Sequence, residues 1–199
     1  NACLGDSLAR ILESQGWRVE RVQIINDRGA HICKSMLMYE KHGEGKEPQD
    51  KPDHFVGKFY ERFERESVEN PKLQEEAQEM LRKWENGDRA VCVLWQKLNA
   101  WVYEGWKKTV ANLGVKSEKD RLYYESEIYK KGKEVVERGL ANGIFYKRED
   151  GAVEIDLTAE GLDKKVLLRA DGTSIYITQD LYLAEARASE FPKAGTFIY

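Results

Sequence analysis

The sequence predicts an α/β fold whose sheet is interrupted by a mostly helical α+β insertion. Three observations carry that prediction. Apolar residues recur at helical spacing from Ala2 to Leu12, and a short β-branched run follows up to Ile25. A loop rich in Gly and Pro, Gly43 to Pro52, then opens a long helical stretch that reaches Leu113. Beyond it, short strands alternate with turn signals to the end of the chain.

The first helix spans Ala2 to Gln15 and stops at Gly16. Trp17 to Ile25 follows as a strand carrying Val19, Val22, Ile24 and Ile25. Helix, short loop and strand make half of a βαβ unit, whose partner strand is expected upstream. The class is therefore an incomplete Rossmann-like nucleotide-binding fold. Asn26-Asp27-Arg28-Gly29 stands at the strand's carboxyl end, where open α/β sheets bind ligands. The same four residues also read as a plain Asp/Gly turn that caps the next helix. His31 is expected as a partly buried helix residue, and Ile32 to Tyr39 continue that helix. The linker at Gly43 to Pro52 lacks the spacing of a phosphate-binding loop and sets a domain boundary.

Asp53 to Leu113 reads as helices. Pro71 suits a first helical position behind Asn70, and Leu73, Ala77, Met80, Leu81 and Trp84 line one face. Gly87-Asp88 breaks the run. The next helix carries Val91, Leu94, Trp95, Leu98, Trp101, Val102 and Trp106 at helical spacing. Tryptophans could stack bases, but these share their face with Val and Leu, which makes them core. His54 has no metal-ligating neighbour.

Asp120 to Tyr124 is a short strand, and a helix from Glu125 to Ala141 follows. Ile144 to Lys147 and Ala152 to Asp156 flank Glu149-Asp150-Gly151 as a hairpin whose acidic residues serve the turn and edge. Lys164 to Leu168 then leads back to the parallel sheet. Asp171-Gly172 turns the chain into a short strand, Ser174 to Ile177, and Thr178 caps a final helix. Tyr176 closes that strand and Asp180 lies in the helix's first turn. Together they form a small anionic rim, and a carboxylate there accepts two parallel N–H bonds from a planar guanidinium. Alternatively, Asp180 is an exposed first-turn residue favoured by the helix dipole, beside a half-buried Tyr. Phe197-Ile198-Tyr199 opens another buried strand.

Length 199, 41% hydrophobic and 34% charged residues fit one or two well-solvated globular units. A net charge of −3 supplies no global field for nucleic acid, so RNA contacts would need local patches. No apolar run approaches the ~18 residues of a membrane span. Cys3, Cys33 and Cys92 are widely spaced, which reads as reduced thiols in a cytoplasmic protein with no zinc site.

Leu167 to Ala184, LLRADGTSIYITQDLYLA, resembles the segment of arginyl-tRNA synthetases that reads Leu-x-Arg-x-Asp-Gly-Thr-x-x-Tyr-x-Thr-x-Asp-Leu. Val22 to Gly29, VQIINDRG, resembles the family's Asn-Asp-x-Gly stretch, and Asp53 to Tyr60, DHFVGKFY, is similar to a helix early in its inserted region. Ala170 departs from the Ser of many relatives, a small-for-small change. The resemblance implies that Tyr176 and Asp180 grip the guanidinium of L-arginine, with Asn26, Asp27 and Gly29 as further substrate-site candidates. It implies activation of arginine with ATP and magnesium, then transfer to the 3′ end of tRNA(Arg), in a cytoplasmic, monomeric enzyme of protein biosynthesis. The family's His-x-Gly-His and Lys-Met-Ser-Lys-Ser-type elements do not occur in this sequence. The chain is thus expected to be an internal fragment, inactive alone, with no catalytic residue of its own. Residues 1–45 and 161–199 would be catalytic domain and 52–160 the connective insertion. A cysteinyl-type synthetase would show zinc-spaced Cys and His. A non-catalytic nucleotide- or RNA-binding module derived from a class I synthetase is the second reading.

Overall fold

The computed structural model describes residues 1–198. In chain order the elements are α1 (Ala2–Ser14), β1 (Val22–Ile25), α2 (Ala30–His42), α3 (Pro52–Glu69), α4 (Lys72–Glu85), α5 (Arg89–Asn112), β2 (Arg121–Tyr124), α6 (Glu125–Ala141), β3 (Tyr146–Lys147), β4 (Val153–Ile155), β5 (Lys165–Leu168) and α7 (Tyr176–Glu190). The class is mixed α/β. Two compact units form, one from residues 1–23 with 27–122, the other from residues 24–26 with 123–198. The loop between α2 and α3 lies within the first unit, and residues 52–160 contribute to both.

In the first unit, α2 to α5 bury a common apolar cluster. Met36, Met38 and Phe63 are fully enclosed, and Leu98 is nearly so. The tryptophan stripe of α5 borders this core: Trp95 and Trp101 pack against it, and Trp95 meets Trp84 at 5.3 Å between ring centroids. Tyr39 receives Phe59 and Trp101 edge-on at 5.4 and 5.7 Å, geometry that aligns ring edges with ring faces. Asp88 caps α5 by accepting the Val91 N–H at 3.1 Å. Helix α1 is anchored through buried Asp6, which accepts from Arg10 and Arg21 at 2.6 Å each and from the Lys116 N–H at 3.2 Å. Only Val22–Ile25 of the expected Trp17–Ile25 strand pairs, with β2. His31 has an exposed outer surface, yet burial of its ring is enough to lower its pKa, with the Lys34 charge adding to the effect.

Cys33 is buried on α2, and burial pushes its thiol up to about 12, with the Arg28 charge opposing. It therefore stays a protonated, unreactive thiol at neutral pH. Cys3 is exposed. A thiol-alkylating reagent at pH 8 should modify Cys3 within minutes and spare Cys33 until the chain is unfolded. Equal labelling of both in the native state would contradict the burial of Cys33.

In the second unit, β3, β4 and β5 form an antiparallel sheet packed with α6 and α7 around Val136, Val153 and Leu167. The hairpin registers Tyr146 opposite Glu154, and its turn closes by Arg148 N–H to the Ala152 carbonyl at 2.7 Å. Asp150 serves the turn by accepting the Ala152 N–H at 3.1 Å. β5 does not lead back to a parallel sheet as expected. It pairs antiparallel with β4, Glu154 opposite Val166, because a connection this short cannot make a parallel crossover. The expected Ser174–Ile177 strand is reduced to a single bridge, Leu168 to Ser174, and α7 begins at Tyr176. Phe197 and Ile198 carry no regular element, and Tyr199 lies outside the described residues. Among the described residues no helix is long and apolar enough to cross a membrane.

Candidate substrate-recognition site

The turn from β5 into α7 is built by its own side chains. Asp171 accepts from the Thr173 N–H at 2.9 Å and the Thr173 hydroxyl at 2.7 Å, and the Gly172 N–H closes on the Arg169 carbonyl at 2.8 Å. This is an Asx-type turn, which Asp-Gly favours. Thr178, expected as the helix cap, is instead the third residue of α7. Its buried hydroxyl accepts the Ile175 N–H at 3.1 Å and donates to the Leu167 carbonyl of β5. Starting the helix before Thr178 satisfies one of the helix's free N–H groups and fastens the helix to the sheet in one step.

Tyr176 and Asp180 consequently share α7 as an i,i+4 pair, one turn apart on one face. They do not meet across a strand–helix junction, and Asp180 is outside the first turn. Tyr176 is 75% exposed, so its hydroxyl faces solvent. Partial burial raises the pKa of Asp180, and the Arg187 guanidinium opposes that rise. Arg187 lies two turns further along the same face and is buried, its guanidinium 5.7 Å from the Tyr123 ring centroid. The face thus grades from open at Tyr176 to enclosed at Arg187. Its open end offers a carboxylate and a phenol to a planar cation.

Asn26 is exposed at the end of β1. Asp27 is held in the other unit, 1% exposed. Its carbonyl accepts from Trp95 Nε1 at 2.6 Å and Asn99 Nδ2 at 3.2 Å, and its carboxylate accepts from the Tyr103 hydroxyl at 3.1 Å. Trp95, Asn99 and Tyr103 repeat every four residues along α5, so one helix face clamps the loop. That geometry makes Asp27 an internal anchor and turns it away from solvent. Gly29 adopts φ 125°, a conformation L side chains rarely adopt, and its carbonyl accepts the Ile32 and Cys33 N–H groups of α2. The sequence had singled out Trp95 as core; the i,i+4,i+8 spacing of Trp95, Asn99 and Tyr103 is the signal that marks the clamp. Among the described residues no group of three or more His, Cys, Asp or Glu gathers to hold a metal ion.

The family model for the catalytic domain of class I tRNA synthetases (R) matches residues 1–199. The chain belongs to that family. Arginine–tRNA ligase of Amoebophilus asiaticus is 45% identical over 219 residues, spanning 100% of this chain and 36% of the relative. Arginine–tRNA ligase of Treponema denticola is 50% identical over 197 residues, spanning 96% of this chain and 33% of the relative. The chain therefore spans about a third of the length of the curated relatives it matches. The crystal structure of arginyl-tRNA synthetase from Plasmodium falciparum superimposes with a TM-score of 0.68 at 18% identity, over 92% of this chain and 30% of that one. A putative arginyl-tRNA synthetase from Campylobacter jejuni gives 0.55 at 18% identity, over 94% of this chain and 40% of that one. At that identity the likeness concerns the fold alone. The chain's own fold is mixed α/β, and it carries exposed Tyr176 and Asp180 one turn apart on α7.

Proposed function

We propose that the chain is part of an arginine–tRNA ligase and supplies its recognition of the arginine side chain. The enzyme activates L-arginine with ATP, which arrives as its magnesium complex, and passes the arginyl group to the 3′ end of tRNA(Arg). Asp180 accepts two charge-assisted N–H bonds from the guanidinium, and the Tyr176 hydroxyl accepts a further one. An ammonium, being a point donor, cannot fill the same planar fork. Asn26 contributes from the end of β1, while Asp27 and Gly29 hold its loop in shape. In the whole enzyme, residues 1–45 and 161–199 belong to a Rossmann-like catalytic domain and 52–160 to its insertion. The enzyme works as a cytoplasmic monomer.

The observation that carries this reading is the exposed Tyr176–Asp180 pair, one turn apart on α7 in a chain of this family. The test is ATP–pyrophosphate exchange by the full-length protein, with its tRNA present. Exchange should depend on arginine and not respond to lysine at equal concentration. Exchange that lysine supports as well as arginine would overturn the assignment of the site, and exchange indifferent to both would overturn the assignment of the enzyme.

A further inference from the structure

The Tyr176–Asp180 pair stands on the outer side of α7, and two residues fix the helix from its inner side. Thr178 lies two positions from each member of the pair, about 200° round the helix from both. It is fully buried, and its hydroxyl ties the Ile175 N–H to the Leu167 carbonyl. Gly132, in the middle of α6, faces the same turn. A Cβ placed on Gly132 would come within 2.5 Å of the Thr178 carbonyl oxygen, 3.0 Å of its carbonyl carbon and 3.3 Å of the Gln179 Cα. All three are backbone atoms, so no side chain could swing aside to admit a methyl group. Gly132 does not adopt a left-handed conformation, so what it supplies is close approach.

We infer that Thr178 and Gly132 are positioning residues for arginine recognition, locking the first turn of α7 between β5 and α6 so that Tyr176 and Asp180 stand where the guanidinium meets them. The inference rests on the proposed arginine site. Neither residue can touch a ligand held by the pair, because both lie on the opposite side of the helix. The sheet side is fastened by a hydrogen bond, which fixes rotation of the turn. The α6 side is set by backbone contact, which fixes its height. Recognition by paired hydrogen bonds is sensitive to such placement, since a misplacement of ~1 Å can lower rates about 100-fold.

The test uses the full-length protein and four substitutions, Thr178→Val, Thr178→Ser, Gly132→Ala and Asp180→Asn, read by KM for arginine and for ATP in the exchange reaction. Thr178→Val keeps the shape and removes the hydroxyl, and Gly132→Ala pushes the turn outward. Each should raise the arginine KM by about 10- to 100-fold while the ATP KM changes by less than about twofold. Thr178→Ser keeps the hydroxyl and should stay within about threefold of the parent on both. A merely structural role would move both KM values together or lower the amount of folded enzyme without altering either. An unchanged arginine KM in a folded Thr178→Val enzyme, or a Thr178→Ser enzyme as impaired as Thr178→Val, overturns the lock. Should both disruptive variants fail to fold, the parent protein decides: the Ile175 amide must be protected from hydrogen exchange without ligand, and rapid exchange there overturns the inference. Asp180→Asn separates the two readings. If it leaves the arginine KM unchanged, the site is misassigned; if it raises that KM while Thr178→Val does not, the lock alone fails.

Discussion

Asp180→Asn in the full-length protein should raise the arginine KM by about 30- to 1,000-fold and leave the ATP KM within about twofold. The carboxylate presents two acceptors to a guanidinium. The amide presents one, turns an NH₂ donor toward a cation, and removes the charge pairing. Losing a charge-assisted hydrogen bond and the pairing together costs roughly 2–4 kcal/mol. Tyr176→Phe removes one hydroxyl and should cost about 1 kcal/mol, a roughly fivefold effect. The competing account, an Asp favoured by the helix dipole, is weakened by where α7 begins. Asp180 is the fifth helical residue, and dipole effects fall off within the first turn. A dipole partner would also tolerate Asn well. The pH dependence adds an independent check. Partial burial raises the Asp180 pKa above its ordinary 3.8, the Arg187 charge opposing. Binding needs the ionised form, so arginine affinity should begin to fall, as pH is lowered, earlier than an ordinary carboxylate would dictate. In Asp180→Asn that acid limb should vanish. An Asp180→Asn enzyme with the parent's arginine KM and kcat would return Asp180 to a structural role.

The pair itself was legible in the sequence, while its setting was not. Their placement one turn apart on one face depends on the helix starting at Tyr176, since a start behind Thr178 would leave Tyr176 in a strand. The choice of start was not local: Thr178 is a good cap by residue type, and with Thr178 as cap the helix would have begun three residues later. What decides is the Leu167 carbonyl, eleven residues upstream, and the backbone contact with Gly132, neither of which a window of periodicity contains. Asp27 repeats the lesson. As part of Asp-Arg-Gly it reads as turn chemistry, and it is buried because α5 brings Trp95, Asn99 and Tyr103 to it from 68 to 76 residues away. The α5 stripe, by contrast, was readable because burial there follows one helix's own period. β5 was recognisable as a strand, but its partner was fixed by the length of the connection from β4 rather than by composition.

Phe63→Ala should lower the unfolding free energy of the 199-residue chain by about 3–5 kcal/mol. Phe63 has no exposed surface and sits on α3 in the cluster that also holds Met36, Met38, Leu73 and Met80. The loss has two parts. Burial of the ring no longer contributes, and the space left behind strips its neighbours of dispersion contacts. The methionines of that cluster bring the loss toward the lower figure, since flexible thioethers move into a void. A cation–π contact is lost as well, because Lys34 Nζ stands 5.0 Å from the ring centroid. Lys34 also pairs with Glu64 at 2.8 Å, so its charge keeps a partner when the ring is gone. Phe63→Leu refills much of the volume and should cost less than about 1.5 kcal/mol. Val68→Ala on the same helix is the control: Val68 is 80% exposed, and its loss should stay within about 0.5 kcal/mol. Urea unfolding of the three variants, compared at a common slope, measures all three. A Phe63→Ala loss no larger than that of Val68→Ala would mean that the α2–α5 cluster is not the element that holds this unit together.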